Sequence, residues 1–249
     1  MIGFITGTGL YELPGLLAPE TRPLETPYGG VEVTVGTWHE RPVAFVPRHG
    51  PHHTVAPSRI NYRANIWALG DLGVRELYTA AVVGSLRPEF GPGHLILLDQ
   101  FIDLTKGRRA DTFFDGEGDL RHVDVTYPYS ERLRNLLLSI AQAAAIDLAP
   151  TGTYACFEGP RFESAAEAAM ARTLGADVVG MTAYPEVVLA RELGMEVCTV
   201  AVVSNYAPGT VGNTVSIEEV VAEADAASGR LFALLGQAME FAGDSRPGG

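Results

Sequence analysis

The sequence predicts a single α/β domain. Apolar runs rich in β-branched residues alternate with amphipathic stretches, the pattern of strands and helices that share one sheet-based core. A chain of 249 residues is long enough to bury such a core. Since neither an internal repeat nor a long linker divides the chain, we expect one domain over residues 1–242, followed by a disordered tail over residues 243–249.

The first half of the chain predicts mostly strands. Residues 2–6 form a continuous apolar run, which indicates a buried strand. Period-two alternation in residues 31–38 and the apolar run 43–47, joined by a short polar turn, predict a hairpin. A helix is expected over residues 58–72, and the further strands of this half are 76–83 and 94–98.

The second half predicts alternating helices and strands. Residues 106–125 are polar and irregular, and a loop of that length is usually functional or packed against a neighbour. Pro185 is expected in the first turn of a helix, where its missing N–H has no cost. The predicted helices are 131–146, 163–174, 185–193 and a last one from Ser216 to about 241, and the predicted strands are 152–157, 177–181 and 196–203.

Charge and composition narrow the class of partner. The net charge of −12 argues against non-specific binding to nucleic acid or to anionic lipid, because both need a basic surface. Cys156 and Cys198 are expected to be buried free thiols. The first residues resemble no secretion signal, and no apolar run approaches the ~18 residues of a membrane span. We therefore expect a cytoplasmic protein that binds neither nucleic acid nor membrane.

Two motifs favour an anion site. Gly7-Thr8-Gly9 follows the first strand, but a dinucleotide fingerprint would require glycine where the chain has Glu12. The turn can still offer N–H groups and a hydroxyl to one phosphate, or it is a plain turn. In Arg48-His49-Gly50-Pro51-His52-His53-Thr54, Arg48 would repel a metal ion, whereas Arg48 and His49 can donate to an oxyanion. A purely structural loop remains an alternative.

Three further segments place polar residues beside predicted strands. Glu163 opens a predicted helix, where it either stabilises the helix dipole or serves a site, and Phe162 is a stacking face or ordinary core. Thr182 and Asn205 follow predicted strands at the edge where open α/β sheets bind ligands. Asn205 is equally suited to a plain turn.

Together these residues resemble the purine nucleoside phosphorylase and methylthioadenosine phosphorylase family, from residue 7 to about residue 220. The resemblance implies a twisted mixed central sheet flanked by helices, inorganic phosphate as co-substrate, no metal or organic cofactor, and a homotrimer with each site near a subunit interface. Its most specific segments are Arg48-His49-Gly50-x-His52-His53-Thr54, Asn61-Tyr62-x-Ala64-Asn65-Ile66-Trp67-Ala68-Leu69, Asp99-Gln100-Phe101-Ile102-Asp103, Glu158-Gly159-Pro160-Arg161-Phe162 and Pro185-Glu186-Val187-Val188-Leu189-Ala190.

The resemblance also implies a role for each matching position. Phosphate would be held by Thr8, Arg48, His49 and Thr182, the ribose would lie against Met181, and the purine would meet Phe162, Glu163 and Asn205. His122 matches a position that reaches into the neighbouring subunit's site. One departure is Ala81, where methylthioadenosine phosphorylases carry a threonine near the phosphate.

Two positions predict the base. Adenine-specific members have aspartate where this chain has Asn205 and Ala207, and a small hydroxyl residue at Glu163, whereas 6-oxopurine members pair glutamate with asparagine. As a carboxylate, Glu163 accepts the N1–H of a 6-oxopurine but faces the N1 lone pair of adenine. Leaving that buried pair unmatched costs ~1–3 kcal/mol or more, so we expect a 6-oxopurine nucleoside.

The 5′ end is expected to be read by Ile217 and Val220. Members that act on ordinary nucleosides have histidine at position 217, but isoleucine suits a thiomethyl group, although it is also a plausible first core residue of the last helix. The combination predicts conversion of S-methyl-5′-thioinosine and phosphate into hypoxanthine and 5-methylthioribose 1-phosphate, with Asn205 donating to N7. Alternatives are an inosine/guanosine phosphorylase, a methylthioadenosine phosphorylase and a non-catalytic nucleoside-binding protein.

Overall fold

A single mixed sheet organises the fold. The computed structural model describes residues 1–50, 53–107, 111–116, 120–212 and 214–241. Over these residues the strands are β1 (Ile2–Thr6), β2 (Leu17–Thr26), β3 (Gly29–Trp38), β4 (Arg41–Pro47), β5 (Glu76–Ser85), β6 (Leu95–Leu97), β7 (Gln100–Asp103), β8 (Leu148–Ala149), β9 (Thr153–Cys156), β10 (Val178–Gly180) and β11 (Glu196–Tyr206). The helices are α1 (Tyr62–Asp71), α2 (Glu131–Ala143), α3 (Ala165–Thr173), α4 (Ala183–Glu192) and α5 (Ile217–Phe241).

The sheet branches at β5. Its main path runs β2-β3-β4-β1-β5-β10-β9-β7, while β11 pairs with β5 and β6, and β6 pairs with β8. The β1–β4, β1–β5 and β5–β11 pairs are parallel, whereas β10 runs antiparallel to β5. The predicted fold class, a mixed central sheet flanked by helices, is confirmed.

Both faces of the sheet are covered. On one face Ile66 of α1 and Val187 of α4 belong to a buried apolar cluster, and on the other Leu137 of α2 and Leu235 of α5 belong to a second. Strand β1 is buried at all five positions, as its uninterrupted apolar run predicts. Both cysteines are buried free thiols, as predicted. None of the described helices is long and apolar enough to cross a membrane.

The elements that differ from prediction have local causes. Strand β2 was not predicted, because nearly all of its residues are exposed and it carries prolines in place of an apolar alternation. The short strands β7 and β8 were also missed. The helix predicted over 58–72 is divided, since Asn61 caps α1 by accepting a hydrogen bond from the Ala64 N–H, and residues Pro57–Arg59 form a separate 3₁₀ turn.

Helix α3 begins later than predicted, which changes the setting of Glu163. Its N-cap is Ser164, whose hydroxyl accepts from the Glu167 N–H while the Glu167 carboxylate accepts from the Ser164 N–H. This reciprocal pair is a capping box and begins the helix at Ala165. Glu163 therefore lies before the helix, and the prediction that it stands in the first helical turn is wrong.

Candidate active site

One cavity collects nearly all of the predicted site residues. It has a volume of about 240 Å³ and lies where β1, β4, β10 and β11 end. Its lining includes Thr8, Arg48, His49, Phe162, Glu163, Met181, Thr182, Asn205, Ile217 and Val220. The exception is His122, which is exposed on the segment before α2 and does not line this cavity. His52 lies outside the described residues.

A larger cavity of about 780 Å³ lies between the β2–β3 hairpin and the start of α1. It shares Arg48 with the smaller cavity but none of the other predicted site residues. The chemistry-bearing side chains therefore converge on the smaller of the two.

Arg48 is held in place by a buried ion pair. Its Nε and Nη2 donate to the two carboxylate oxygens of Glu186 at 2.7 and 2.8 Å, and its Nη1 donates to the Ala80 carbonyl at 2.6 Å. Both charged side chains are 1% exposed. Burial lowers the pKa of Arg48, but the negative charge of Glu186 outweighs burial. The pKa of Arg48 therefore lies above its usual value. Arg48 is thus a permanent cation in a fixed orientation.

The Gly7 backbone lies against this cation. A Cβ at Gly7 would be 2.7 Å from Arg48 Nη1, so glycine lets the turn after β1 lie this close to the guanidinium, while His49 Nε2 would be in ordinary contact at 3.7 Å. With Thr8 lining the same end of the cavity, the turn, the guanidinium and the imidazole surround a space suited to an anion.

His49 presents an acceptor to this space. Its Nδ1 lies 2.8 Å from the Val55 carbonyl, and since a carbonyl only accepts, Nδ1 carries the proton. Burial lowers the pKa of His49 to about 4, so the ring is neutral near pH 7 and Nε2 holds a lone pair. In this neutral form Nε2 offers an acceptor where the sequence predicted a donor, so the binding of an oxyanion by His49 stays a prediction. The lone pair on His49 Nε2 can accept a hydrogen bond from a phosphate oxygen that still carries a proton.

Met181 and Thr182, which directly follow β10, line the cavity. The N–H groups of Thr182 and Ala183 donate to the Tyr154 hydroxyl at 2.9 and 3.3 Å, which anchors the start of α4. The Thr182 side chain makes no capping hydrogen bond to that helix and lines the cavity. Gly159 makes room for Met181, since a Cβ there would lie 2.5 Å from the Met181 sulfur.

Glu163 is a buried carboxyl group with an unpartnered oxygen. The residue is 6% exposed, and its Oε1 is buried with no hydrogen-bond partner among the described residues. Arg161, the nearest cation in sequence, donates instead to both oxygens of Glu167 at 2.7 and 2.8 Å. Burial raises the pKa of Glu163 to about 7, so near neutrality it is present both as an acid and as a carboxylate. The expectation of a fully ionised acceptor is corrected accordingly.

Asn205 is oriented by an irregularity in β11. The pairing with β5 shifts between Val203 and Asn205, which leaves Ser204 as an extra residue. The Ser204 hydroxyl donates to Asn205 Oδ1 at 2.8 Å, and Asn205 Nδ2 donates to the Tyr206 carbonyl at 2.9 Å. Since that carbonyl only accepts, the amide nitrogen is identified, and its second N–H remains available to the cavity.

Helix α5 contributes an apolar wall. Val220 is 6% exposed, whereas Ile217 is 48% exposed although it lines the cavity. Ile217 is therefore not a core residue, so the alternative that it is only the first core residue of the last helix is wrong. Ala81 is fully buried in β5 and does not line the cavity.

Sequence reasoning assigned no role to Glu186, Tyr154 and Ser204, which hold the site together. A glutamate inside an apolar helical run was a usable signal for Glu186, because a buried carboxylate needs a cation. Tyr154 and Ser204 carried no such signal, since tyrosine and serine are common in strands and turns. Among the described residues, no group of three or more histidine, cysteine or acidic side chains is arranged to hold a metal ion.

Comparison with known proteins gives a consistent result. The sequence profile of the Phosphorylase superfamily matches residues 1–240. A 6-oxopurine nucleoside phosphorylase from Pyrococcus furiosus is 47% identical over 88% of this chain and 84% of that protein. A probable S-methyl-5′-thioinosine phosphorylase from Methanothermobacter thermautotrophicus is 46% identical over 88% of this chain and 76% of that protein. The structure of methylthioadenosine phosphorylase from Schistosoma mansoni in complex with adenine superimposes with a TM-score of 0.92 at 29% identity, covering 98% of this chain and 92% of that one.

Proposed function

The chain belongs to the phosphorylase superfamily, and from that premise we propose that it cleaves the N-glycosidic bond of 6-oxopurine nucleosides with phosphate. The predicted enzyme class, a nucleoside phosphorylase, agrees with the names of its relatives. The preferred substrate we propose is S-methyl-5′-thioinosine, which yields hypoxanthine and 5-methylthioribose 1-phosphate. Phosphate is the second substrate, and the proposed reaction uses no metal ion or organic cofactor.

The observation that carries the choice of base is that Glu163 and Asn205 both line one cavity. The unpartnered Glu163 Oε1 is an acceptor for the N1–H that hypoxanthine and guanine carry. Phe162 lines the same space and offers an apolar face to the purine.

The proposed mechanism assigns the developing charges to two ends of the cavity. As the C–N bond breaks, negative charge gathers on the purine, and the available N–H of Asn205 Nδ2 donates to N7. Phosphate, held by Arg48, Thr8 and Thr182 and bonded through its own proton to His49 Nε2, attacks the anomeric carbon. Phosphate gives up that proton as the sugar phosphate forms, and the departing purine anion takes up one proton to become the free base. The charge of the phosphate also stabilises the cationic sugar, whose face lies against Met181.

The apolar end at Ile217 and Val220 supports a 5′-methylthio group. Neither side chain donates or accepts a hydrogen bond, so a 5′-hydroxyl would lose its bonds to water there. Burying the methyl and sulfur against them contributes ~1 kcal/mol or more.

A second candidate is a general inosine/guanosine phosphorylase. It is favoured by the exposure of Ile217, which leaves the 5′ end partly open to water, and by the relative that is named a 6-oxopurine nucleoside phosphorylase. The choice of base is the same for both candidates.

A subunit contribution from His122 is part of the proposal. Its exposed position outside the cavity is compatible with a side chain that serves a neighbouring copy, as in the homotrimer that we propose. Sedimentation should give a trimer, and H122A should raise KM for the nucleoside without changing the trimer.

The deciding experiment is a panel of inosine, guanosine, adenosine, S-methyl-5′-thioadenosine and S-methyl-5′-thioinosine, each incubated with and without phosphate and followed by chromatography of the free base. Phosphate-dependent release of hypoxanthine, fastest from S-methyl-5′-thioinosine, is expected. Binding without release of base would identify a non-catalytic nucleoside-binding protein.

A matched pair of variants tests the 5′ end. I217H introduces a hydrogen-bonding group beside the 5′ position and should raise kcat/KM for inosine relative to S-methyl-5′-thioinosine about tenfold. V221H makes the same change on the same helix outside the cavity lining and should leave the ratio unchanged. Equal ratios in both variants would remove Ile217 from substrate selection.

A further inference from the structure

We propose that the same site also cleaves 6-aminopurine nucleosides when Glu163 is protonated, so that acidity sets the ratio of amino to oxo substrates. This inference rests on the proposed function and extends it to a second substrate class. Its geometric basis is the buried, unpartnered Glu163 Oε1 in the base-binding part of the cavity.

Hydrogen-bond complementarity links the form of Glu163 to the base. A carboxylate offers only acceptors, so it matches the N1–H of a 6-oxopurine and faces the N1 lone pair of a 6-aminopurine. The protonated acid offers one O–H donor and one carbonyl acceptor. It can donate to N1 of a 6-aminopurine and accept from the exocyclic amine, and it can equally accept N1–H and donate to O6 of a 6-oxopurine. Protonation therefore adds a substrate class without excluding the first.

The surroundings of Glu163 leave its charge uncompensated. On its own segment, Arg161 is committed to Glu167 through two hydrogen bonds, so the adjacent cation and anion neutralise one another. Glu163 also lines a small neighbouring cavity, whose lining includes Lys106 and Glu158. These two side chains again carry one charge of each sign. On the nucleoside side the charged or titratable neighbours in the lining are Arg48, His49 and His53.

None of these nucleoside-side groups is a dedicated partner for Glu163. Arg48 is ion-paired with Glu186 rather than with Glu163, and burial lowers the pKa values of both His49 and His53, which keeps their rings neutral near pH 7. Burial is the largest influence on Glu163 and raises its pKa to about 7. A hydrogen bond from its own backbone and the charge of Arg161 lower the pKa, and the charge of Glu167 raises it. Both forms of the acid are populated under ordinary assay conditions.

The rest of the base site does not oppose a 6-aminopurine. In the proposed mechanism the second Asn205 N–H, which the bond to the Tyr206 carbonyl leaves available, donates to N7, and N7 is an acceptor in both classes of base. Phe162 offers the same apolar face to either ring. Recognition at N1 therefore depends on one titratable side chain, and a single proton changes it.

The test measures the ratio of kcat/KM for S-methyl-5′-thioadenosine to that for S-methyl-5′-thioinosine in mixtures of the two, at saturating phosphate, from pH 5.5 to pH 9. Ionisation of phosphate, of His49 and of the cavity's other groups affects both substrates and cancels in the ratio. The ratio should be level at acid pH and fall about tenfold per pH unit above about 7, because the acid fraction falls by that factor. A ratio that is constant across this range overturns the inference.

Two variants assign the titrating group. E163Q keeps one donor and one acceptor at every pH, so its ratio should be independent of pH. E167Q releases Arg161 and removes a nearby anion while leaving Glu163 in place, so the fall in the ratio should persist with its midpoint moved to lower pH. A pH-dependent ratio that survives in E163Q would show that another group titrates and would overturn the inference.

The two proposals fail in different ways. If no 6-oxopurine nucleoside releases its base at any pH, the proposed function is wrong. If S-methyl-5′-thioinosine is cleaved and the ratio to the amino substrate stays flat, the proposed function stands and only the protonation of Glu163 is excluded as a selector.

Discussion

Arg48 and Glu186 form a two-point ion pair in the floor of the candidate active site, with Nε and Nη2 on the two carboxylate oxygens at 2.7 and 2.8 Å. The residues are far apart in sequence, one following β4 and the other in α4. Because the pair uses the outer edge of the guanidinium, Nη1 is left beside Gly7 and the cavity. Glu186 is a positioning residue in this arrangement, because it holds Arg48 and does not itself line the cavity.

Breaking this pair should weaken both folding and phosphate binding. E186A leaves the Arg48 charge buried and unpaired, which should cost about 3–5 kcal/mol of unfolding free energy in urea titrations. KM for phosphate should rise in the folded fraction while KM for the nucleoside changes little. The control is R22A, which breaks an exposed pair with Glu20 and should cost under about 1 kcal/mol. Equal losses in the two variants would contradict the role of burial.

Removing the Ser204 hydroxyl should reduce kcat. In S204A the Asn205 amide loses the bond that holds Oδ1, so its N–H would be less well oriented for the proposed bond to N7. A bond of this kind contributes about 0.5–1.5 kcal/mol, which corresponds to a loss of roughly two- to twelvefold in kcat at nearly constant KM. Y206F removes a hydroxyl that bonds to the exposed Pro88 carbonyl and keeps the backbone carbonyl that orients Asn205, so its kcat should match the wild type.

Glu163 should destabilise the folded protein at alkaline pH. Its folded-state pKa of about 7 lies above the ordinary value of 4.5, so the folded state favours the acid form. The resulting stability is present below pH 4.5 and is lost as pH rises through 7, to the extent of about 3 kcal/mol. In urea unfolding, E163Q should therefore be more stable than wild type at pH 9 and no more stable at pH 4.5. A constant difference across this range would show that Glu163 does not titrate as described.

His49 should produce a slope of the opposite sign. Its folded-state pKa of about 4 lies below the ordinary 6.5, so the unfolded chain takes up the proton first as pH falls. Stability is unaffected above pH 6.5 and falls by about 3 kcal/mol between pH 6.5 and pH 4. The difference in unfolding free energy between wild type and H49Q should follow this curve. A wild-type minus H49Q difference that stays level or falls as pH rises from 4 to 6.5 would contradict a neutral buried imidazole.

Adding one methyl group at Gly180 should displace Tyr154, which supports the start of α4 at the candidate active site. A Cβ there would lie 2.8 Å from the Tyr154 hydroxyl and ring, so G180A must displace the side chain that accepts the Thr182 and Ala183 N–H groups. We expect a loss of 1–3 kcal/mol in thermal or urea unfolding, a typical cost of overpacking, together with a higher KM for phosphate. G229A, within α5 and facing open space, should instead stabilise by about 0.5–1 kcal/mol.

Local patterns in the sequence were sufficient for much of the architecture. The uninterrupted apolar run of β1, the alternation in the β3–β4 hairpin and the serine before α5 correctly predicted where those elements lie. Family resemblance then selected the residues that line the smaller cavity, although the roles of those residues remain proposals. Strand β2 escaped prediction because it is an exposed edge strand with no buried face to impose a pattern.

Properties that depend on distant neighbours were decided only by the tertiary structure. The sequence determined that Glu163, His49 and Arg48 are present, but their protonation and orientation follow from burial and from partners such as Val55 and Glu186. A pKa is set by the solvent that folding removes and by the charges that it brings close, and neither can be read from adjacent residues. For this reason the sequence indicated which side chains line the cavity, while the fold determined that the pKa of Glu163 lies near neutral pH.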